Sequence, residues 1–458
     1  MNLKLRLTIL NFLQFYTWGA WLITIGNYWF GTKEWDATNF GVIFSTMGIA
    51  SLFMPTLSGI VADKWVNAER LNGILHIGYA CALFYLSTVN DPHTFFWVIL
   101  VAMVFYMPTI ALNNSVSYTV LKNNNFDIIK DFPPIRVWGT IGFIVAMWVT
   151  NLIGAKASVG QFYNGGIAAI ILGVYSFSIP KCPPSKNIHE NTSLVHLLGL
   201  DAFKLFMNKK MFLFFLFSMF LGGALQLTNA YGDVFLSEFE KFPKYATSLV
   251  VQYSTIIMSI SQVSETVFIL AIPFFLKKFG IKKVMLISMV AWVLRFAFFG
   301  WGDPGSGVFL IVMSCIVYGM AFDFFNVSGS LFVGTTVEKK YRSSAQGIFM
   351  MMTNGFGAIL GSLLSGWLID RFFMLKFDTA QSLASYLDTT TDNSYFLKML
   401  EKKGVLIMDN AHLSEMVTMR DWPGIWMSFA AYALIVTILF AIFFKHKHEP
   451  EELAAITH

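Results

Sequence analysis

Residues 94–115 read TFFWVILVAMVFYMPTIALNNS, a run without a single charged side chain. A helix needs about 20 such residues to cross roughly 30 Å of hydrocarbon. Similar runs recur from one end of the chain to the other. The composition agrees, since 56% of the 458 residues are hydrophobic and 13% are charged, against about 25% charged in an average soluble domain. We therefore predict an all-α membrane protein.

Working outward from this run, the apolar stretches define twelve predicted transmembrane helices, which we number as spans 1 to 12. The first is too long for the apolar region of a signal peptide and lacks a cleavage site, so we expect it to be retained. The approximate limits of the spans are residues 5–30, 40–62, 71–89, 94–115, 134–154, 162–180, 210–236, 246–275, 283–301, 307–333, 343–370 and 422–444.

A polar stretch divides six spans from six. This predicts an N-terminal six-helix bundle at 1–180, a cytoplasmic linker at 181–209 and a C-terminal six-helix bundle at 210–447. The second bundle includes an extended outer loop, 371–421, and is followed by a cytoplasmic tail, 448–458. Two facing bundles are a common basis for alternating access around a site near the middle of the membrane.

Basic residues favour one side of the predicted membrane. If the N-terminus is cytoplasmic, the short outer loops carry only Lys33, Lys156, Lys241 and Lys244, while the inner loops are rich in Lys and Arg. Because cytoplasmic loops accumulate these residues, we predict that both termini are cytoplasmic. The net charge of +5 follows from this bias, so it does not indicate nucleic-acid binding.

Ionisable residues inside the spans are candidates for function, because a charge at the bilayer centre costs at least ~2.5 to 3.5 kcal/mol on insertion scales. Arg136, Glu265 and Asp323 lie deepest. Arg295 lies nearer the end of span 9, and we predict that it snorkels to the membrane interface. A carboxylate in a medium of low dielectric can titrate near the working pH. Glu265 and Asp323 are therefore the candidate proton carriers, and the residues leave open which of them Arg136 faces.

Polar and aromatic side chains surround these charges at helical spacing, which places each group on one face of its helix. Packing is the alternative for each of them, because buried amides also join helices to one another. The groups are Arg136, Thr140 and Phe143 on span 5, Gln226 and Asn229 on span 7, Gln262 and Glu265 on span 8, and Tyr318, Phe322 and Asp323 on span 10.

A ligand that suits these groups has hydroxyls for carboxylates, a hydrogen-bonding edge for amides and a flat face for aromatic rings. A nucleoside has all three, whereas a sugar lacks the second amide-like edge. The alternatives are a permease for another polar solute, a membrane-embedded enzyme and a non-transporting sensor. The sequence shows no nucleophile elbow and no cluster of metal ligands. It also shows no appended signalling domain, so we predict a transporter and not an enzyme.

Several motifs point to a known group of proteins. The loop after span 2, GIVADKW at 59–65, resembles the cytoplasmic signature of the major facilitator superfamily. Six further segments resemble the bacterial nucleoside:proton symporter family, of the high-affinity nucleoside permease type, within that superfamily. They are MNLKL at 1–5, DFPPIRVWGTIGF at 131–143, LGLDAF at 198–203, SISQVSET at 259–266, AFDFFN at 321–326, and AQG through NGFG at 345–357.

This resemblance implies the major facilitator superfamily fold, with 12 transmembrane helices in two six-helix bundles. It implies symport of protons with purine and pyrimidine nucleosides, such as uridine and adenosine, across the bacterial cytoplasmic (inner) membrane. The proton is the coupling ion, no cofactor or metal is expected, and the chain is expected to be a monomer. A narrower permease, for xanthosine or another polar solute, is the alternative. The implied substrate contacts are Arg136, Thr140, Phe143, Gln226, Asn229, Gln262, Glu265, Tyr318, Phe322 and Asp323.

The sequence departs from the expected pattern at residues 371–420, where a short outer loop gives way to a long, mostly polar stretch. Tyr395, Phe396, Met399 and Leu400 lie at helical spacing. They predict one amphipathic helix, which either lies over the outer mouth of the transport path or belongs to a tolerated insertion. We favour the insertion.

Overall fold

The computed structural model describes residues 2–184, 200–338, 341–402 and 417–446. The linker motif at 198–203 and the tail at 448–458 therefore lie partly or wholly outside the described residues. Spans 1 to 6 are Leu3–Gly19 continued by Ile25–Asn27 and Tyr28–Thr32, then Ala37–Lys64, Ala68–Leu86, Pro92–Asn123, Ile128–Leu152 and Gly160–Ser176.

The second half repeats this arrangement of long helices. Spans 8 and 9 lie in Ile260–Trp301, where two helices meet at Gly280, and span 8 is preceded by the short helices Leu249–Gln252 and Ser254–Met258. Span 11 is built from Arg342–Met350, Met351–Gly357 and Ala358–Phe372. The remaining spans 7, 10 and 12 are Lys209–Glu238, Val308–Thr336 and Trp422–Phe443.

The twelve-helix prediction is confirmed. Eight helical stretches of the described chain are long and apolar enough to cross a membrane, and one of them, Ser254–Trp301, has 48 residues. That stretch holds spans 8 and 9, because the chain changes direction at Gly280, where φ is 75° and ψ is 168°. Glycine adopts a positive φ without steric cost. The other three spans are shorter or, in span 1, interrupted.

One of the predicted boundaries that were wrong affects the site. Span 5 begins at Ile128 and not near residue 134, so Pro133 and Pro134 lie inside the helix. A proline removes only one backbone hydrogen bond, and here it does not mark the start of the helix. Arg136 consequently lies about two turns inside span 5, deeper than the sequence suggested.

Glycines on span 11 allow close approach to two other helices. A Cβ added at Gly366 would collide with the carbonyl oxygen of Ala37 on span 2, in the other half, and one at Gly361 would collide with the backbone of Gly223 on span 7, in the same half. Span 11 therefore has a packing surface of small residues. Such strips allow helix backbones to approach each other in membranes.

The long loop before span 12 folds into a small unit, which we call the loop unit (described residues 373–402 and 417–421). It contains the helices Ala380–Tyr386 and Ser394–Lys402. A two-stranded antiparallel sheet, β1 (Met374–Leu375) with β2 (Met419–Arg420), closes it. The predicted amphipathic helix is confirmed, and it buries its apolar face in a small core of its own. That core includes Phe377, Leu383, Leu387, Phe396, Leu400, Val417 and Met419.

Polar contacts fasten the loop unit to the chain after span 7. The Lys244 ammonium lies 2.8 Å from the Asp388 carboxylate and, by hydrogen bonding to it, lowers the pKa of that carboxyl. The Tyr395 hydroxyl donates to the carbonyl oxygen of Glu240 at 2.7 Å. These contacts hold the unit to the C-terminal half.

The spans alternate in direction, so residues 2 and 446 lie on the same face of the molecule, which we call the terminal face. The opposite face carries the loop unit, and we call it the loop face.

Aspartate side chains cap the first turns of span 2 and span 4 at the loop face. Asp36 accepts a hydrogen bond from the Asn39 backbone N–H at 2.7 Å, and Asp91 accepts one from that of Thr94 at 2.7 Å. Such caps satisfy N–H groups that have no partner within the helix.

We predict that Phe396→Ala destabilises the loop unit by about 3 to 5 kcal/mol, the usual cost of removing a buried phenylalanine side chain. Phe396 is fully buried, so its loss leaves a cavity in a core that has few other members. Hydrogen–deuterium exchange should become faster in residues 374–402 and stay unchanged in the spans. Lys398→Ala, an exposed change on the same helix, is the control. Equal exchange in both variants would contradict the prediction.

Candidate functional site

Three charged side chains that the sequence placed deep in the membrane meet between the two halves. Arg136 on span 5 and Glu265 on span 8 are close enough for mutual electrostatic attraction. Glu265 is also within electrostatic range of Asp323 on span 10, which is 5% exposed. Within the described residues, no hydrogen bond or ion pair uses either carboxylate. Because an unpaired buried carboxylate is costly, these oxygens are suited to a ligand or a proton.

Arg136, Thr140 and Phe143 form a stripe along one face of span 5, and this stripe faces span 1. The Arg136 guanidinium carbon lies 4.1 Å from the centre of the Phe15 ring, a distance at which a cation is attracted to an aromatic face. Farther along the stripe, the Phe143 ring packs edge-on against Trp18, with centroids 6.2 Å apart. Thr140 lies between them and is partly exposed. The stripe therefore combines a cation, a hydroxyl and an aromatic ring, as predicted.

Aromatic rings form a flat wall on span 10. The rings of Tyr318 and Phe322 are parallel within 2°, with centroids 5.9 Å apart. Trp292 packs edge-on behind Tyr318 at 6.0 Å. Phe322 also lines a cavity with an empty volume of about 280 Å³, together with Asn326 and Asn354. The wall offers an apolar face for a planar ring.

Amide side chains border the charged centre. The carbonyl oxygens of Gln226 and Gln262 are buried, and neither has a hydrogen-bond partner among the described residues. A buried acceptor without a partner costs about 1 to 3 kcal/mol. Asn229, one turn beyond Gln226, is partly exposed. The amides thus keep free hydrogen-bonding groups close to the carboxylates and the aromatic wall.

The position of the Arg295 side chain contradicts a prediction. We expected its side chain to snorkel to the membrane interface, yet it is 1% exposed. Its Nη1 donates to the Ser314 carbonyl oxygen at 2.8 Å and to Ser261 Oγ at 3.2 Å. Its guanidinium carbon lies 4.5 Å from the centre of the Tyr318 ring. The prediction failed because position along a helix does not show which way a side chain faces, and this one faces spans 8 and 10.

Span 1 contributes residues that the sequence analysis missed. Gln14 Nε2 donates to Thr109 Oγ1 at 2.7 Å, and the Tyr106 hydroxyl donates to the Gln14 carbonyl oxygen at 3.0 Å. Trp18 packs against Tyr106 with centroids 5.3 Å apart, and its Nε1 has no partner in the described structure. The i, i+4 spacing of Gln14 and Trp18, which places them on one face of the helix, was the available signal.

The hydrogen bonds that join the halves within the described residues lie at the loop face. Asp233 on span 7 is fully buried and accepts from Asn27 Nδ2 on span 1 at 2.6 Å and from Thr255 Oγ1 at 3.0 Å. Further bonds cross between the halves there. They include Trp148 Nε1 to Ser259 Oγ at 2.9 Å, Lys156 Nζ to the Val251 carbonyl at 3.2 Å, and the Ala37 N–H to Asp370 at 3.0 Å.

These contacts close the path between the halves at the loop face. At the terminal face, no hydrogen bond joins a described residue of one half to a described residue of the other. The charged centre and the aromatic wall lie between the two faces.

The chain matches a known protein family over most of its length. Residues 1–387 match the family model described as nucleoside H+ symporter. The chain belongs to this family. It has the major facilitator superfamily fold and is a multi-pass membrane protein.

The relatives of this symporter-family chain match it over nearly their whole length. The chain is 47% identical to nucleoside permease NupG of Escherichia coli (strain K12) over 449 residues, 98% of this chain and 97% of the relative. It is 45% identical to the xanthosine permease of the same organism, with 100% of both chains covered. A crystal structure of nucleoside transporter NupG (D323A mutant) matches with a TM-score of 0.84 and 46% identity, covering 97% of this chain and 100% of that chain.

The loop unit has a folded core of its own and polar contacts with the chain after span 7. That it is a tolerated insertion stays a prediction.

We predict that Asp233→Ala opens the loop face, because it removes the acceptor that joins Asn27 to Thr255. Spin labels are placed at His93→Cys and Ser306→Cys, two exposed loop-face positions in opposite halves. Double electron–electron resonance should show a longer distance between them in the Asp233→Ala protein than in the protein that keeps Asp233. The background lacks the 3 native cysteines. Asp388→Asn, an exposed carboxylate within one half, serves as the control. Identical distance distributions in the two variants would contradict the role assigned to Asp233.

Proposed function

We propose that this chain imports purine and pyrimidine nucleosides together with protons by alternating access. The observation that carries the proposal is the site between the halves, where unpaired Glu265 and Asp323 lie near Arg136 and beside the Tyr318 and Phe322 wall. Membership of the nucleoside H+ symporter family supports the substrate class. The two permease relatives support transport over an enzymatic function.

The chemistry of the site matches the parts of a nucleoside. Carboxylate oxygens of Glu265 and Asp323 accept hydrogen bonds from ribose hydroxyls. The free carbonyl oxygens of Gln226 and Gln262 accept from N–H groups on the base. An aromatic ring supplies a face on which any base can stack, and Phe143 and Phe322 lie on opposite sides of the site to do so. Thr140 and Asn229 add polar groups at its edge.

Proton coupling follows from the nearness of two carboxylates. Like charges at close range repel each other, so a shared site favours a proton on one of the pair. A proton that binds Glu265 or Asp323 from one side of the membrane and leaves to the other would couple its own movement to that of the nucleoside.

We assign the terminal face to the cytoplasm of a bacterium and the loop face to the outside of its inner membrane. The concentration of Lys and Arg at the terminal face supports this orientation. Both termini and the linker 181–209 are then cytoplasmic. In this orientation the structure is closed to the outside, and the site is reached from the cytoplasm. A monomer suffices, because one chain supplies every group of the site.

A narrower substrate range is the second candidate. The chain is nearly as similar to the xanthosine permease, at 45% identity, as to the nucleoside permease, at 47%. Competition by unlabelled xanthosine, uridine and adenosine against one labelled nucleoside separates the two functions. Competition by xanthosine alone would favour the narrower permease.

The proposal is tested by uptake of radiolabelled uridine and adenosine into transport-deficient cells that express the chain. We expect uptake of both, and we expect a protonophore to abolish their accumulation. Undiminished accumulation with the protonophore would contradict proton coupling. Failure to take up either compound would contradict the nucleoside assignment.

We predict that Glu265→Gln and Asp323→Asn each abolish concentrative uridine uptake driven by a pH gradient in proteoliposomes. Both changes keep the shape of the side chain and remove the titrating group. Uridine counterflow, which needs no gradient, separates their roles. The proton carrier should keep counterflow when it is neutralised, whereas a residue needed for nucleoside binding should lose it. Glu401→Gln and Asp388→Asn, changes outside the membrane, are matched controls. Full accumulation in both site variants would remove proton coupling from these residues.

We predict that Phe143→Ala weakens uridine binding by ~1 to 3 kcal/mol, the usual effect of removing an aromatic ring on which a base stacks. Titration calorimetry of the purified protein measures the change. Phe443→Ala, an exposed phenylalanine on span 12, is the control and should leave the Kd unchanged. Equal affinities of the Phe143→Ala protein and the unaltered chain would restrict Phe143 to packing against Trp18.

A further inference from the structure

Arg295 is a buried charge that the proposed transport cycle does not use. Its side chain is among the largest fully buried ones in the molecule, and no carboxylate in the described structure forms an ion pair with it. Its Nε also lacks a hydrogen-bond partner within the described residues. Because a cation in a membrane interior costs several kcal/mol and is usually functional, packing alone is a poor reason for its presence.

The contacts of Arg295 link the two spans that carry half of the residues of the proposed site. From span 9, Nη1 donates to Ser261 Oγ on span 8, at 3.2 Å, and to the Ser314 carbonyl on span 10, at 2.8 Å. The Ser314 hydroxyl in turn donates to the Arg295 carbonyl at 2.8 Å. Ser261 is the residue directly before Gln262, and Glu265 follows one turn later. The guanidinium therefore holds the stretch of span 8 that presents both side chains.

The same guanidinium supports the aromatic wall from behind. Its central carbon lies 4.5 Å from the centre of the Tyr318 ring, and the Tyr318 ring stacks in parallel with Phe322. Tyr318 is also within electrostatic range of Glu265 and Asp323. Tyr318 thus has a cation behind it and two carboxylates nearby. A cation is attracted to the face of an aromatic ring, so the guanidinium helps to fix the orientation of the Tyr318 ring.

We propose that Arg295 is a positioning residue for the nucleoside site, acting through Tyr318 and Ser261 without touching the substrate. This inference rests on the proposed function. A planar guanidinium is required, because it stacks on a ring and donates in fixed directions at the same time. A lysine ammonium keeps the charge but has neither the plane nor the fork of donors.

The test is uridine counterflow in proteoliposomes made with the unaltered chain, Arg295→Lys or Arg295→Met. We expect the KM for uridine to rise about 10-fold or more in both variants, since a small misplacement of binding groups has large effects. The maximal exchange rate per folded molecule should change less than the KM. Arg371→Lys, an exposed arginine at the loop face, should leave both values unchanged. The lysine variant keeps the test valid if the methionine variant does not fold.

A double-mutant cycle separates positioning from general stability. If Arg295 acts through Tyr318, the effects of Arg295→Lys and Tyr318→Leu on the KM should not add, because coupled residues give non-additive changes. Additive effects would overturn the inference. So would an Arg295→Lys protein with an unchanged KM, or one in which only the amount of folded protein falls. Absence of uridine counterflow by the unaltered chain would instead overturn the proposed function, and this inference with it.

Discussion

The hydrocarbon core of a membrane offers no water to a charged or hydrogen-bonding group, and the rest of this structure depends on that constraint. Every backbone group must be satisfied within a helix, so the chain folds into long helices joined by short loops. Charged side chains must avoid lipid, so Arg136, Glu265, Asp323 and Arg295 all point away from it. Three of them lie between the halves, and the fourth lies within the C-terminal half.

Buried polar groups in this molecule fall into two classes with different functions. Asp233, Gln14 and Arg295 form hydrogen bonds at normal distances, and each of them joins one helix to another. Glu265 and Asp323 form none within the described residues, and the Gln226 and Gln262 carbonyls are likewise free. An unsatisfied buried group lowers stability, and a fold can retain it where a ligand or a proton satisfies it for part of a cycle. Asp233, Gln14 and Arg295 each also have one polar atom without a partner in the described structure, so the two classes differ in whether the side chain forms any hydrogen bond at all.

The sequence predicted the fold well because the thickness of the membrane sets the length of each apolar run. It identified Glu265 and Asp323 for the same reason, since any charge inside such a run stands out. Arg295 stood out equally, but its environment comes from Ser261 and Ser314 on two other helices. A single helix does not reveal such partners. The helix at Ser394–Lys402 was predictable from its spacing, whereas its core was not, because that core depends on β1 pairing with β2 from a distant part of the loop.

The polar contacts that close the loop face act together with close packing. A hydrogen bond contributes a net of about 0.5 to 1.5 kcal/mol, so each of the bonds around Asp233, Trp148, Lys156 and Asp370 is weak by itself. The close backbone approach of span 11 to span 2, at Gly366 and Ala37, adds packing contacts at the same face. A ligand shifts the equilibrium between the open and the closed state by no more than its difference in affinity for the two states. Nucleoside and proton binding must therefore together outweigh both the polar contacts and the packing to determine which face is open.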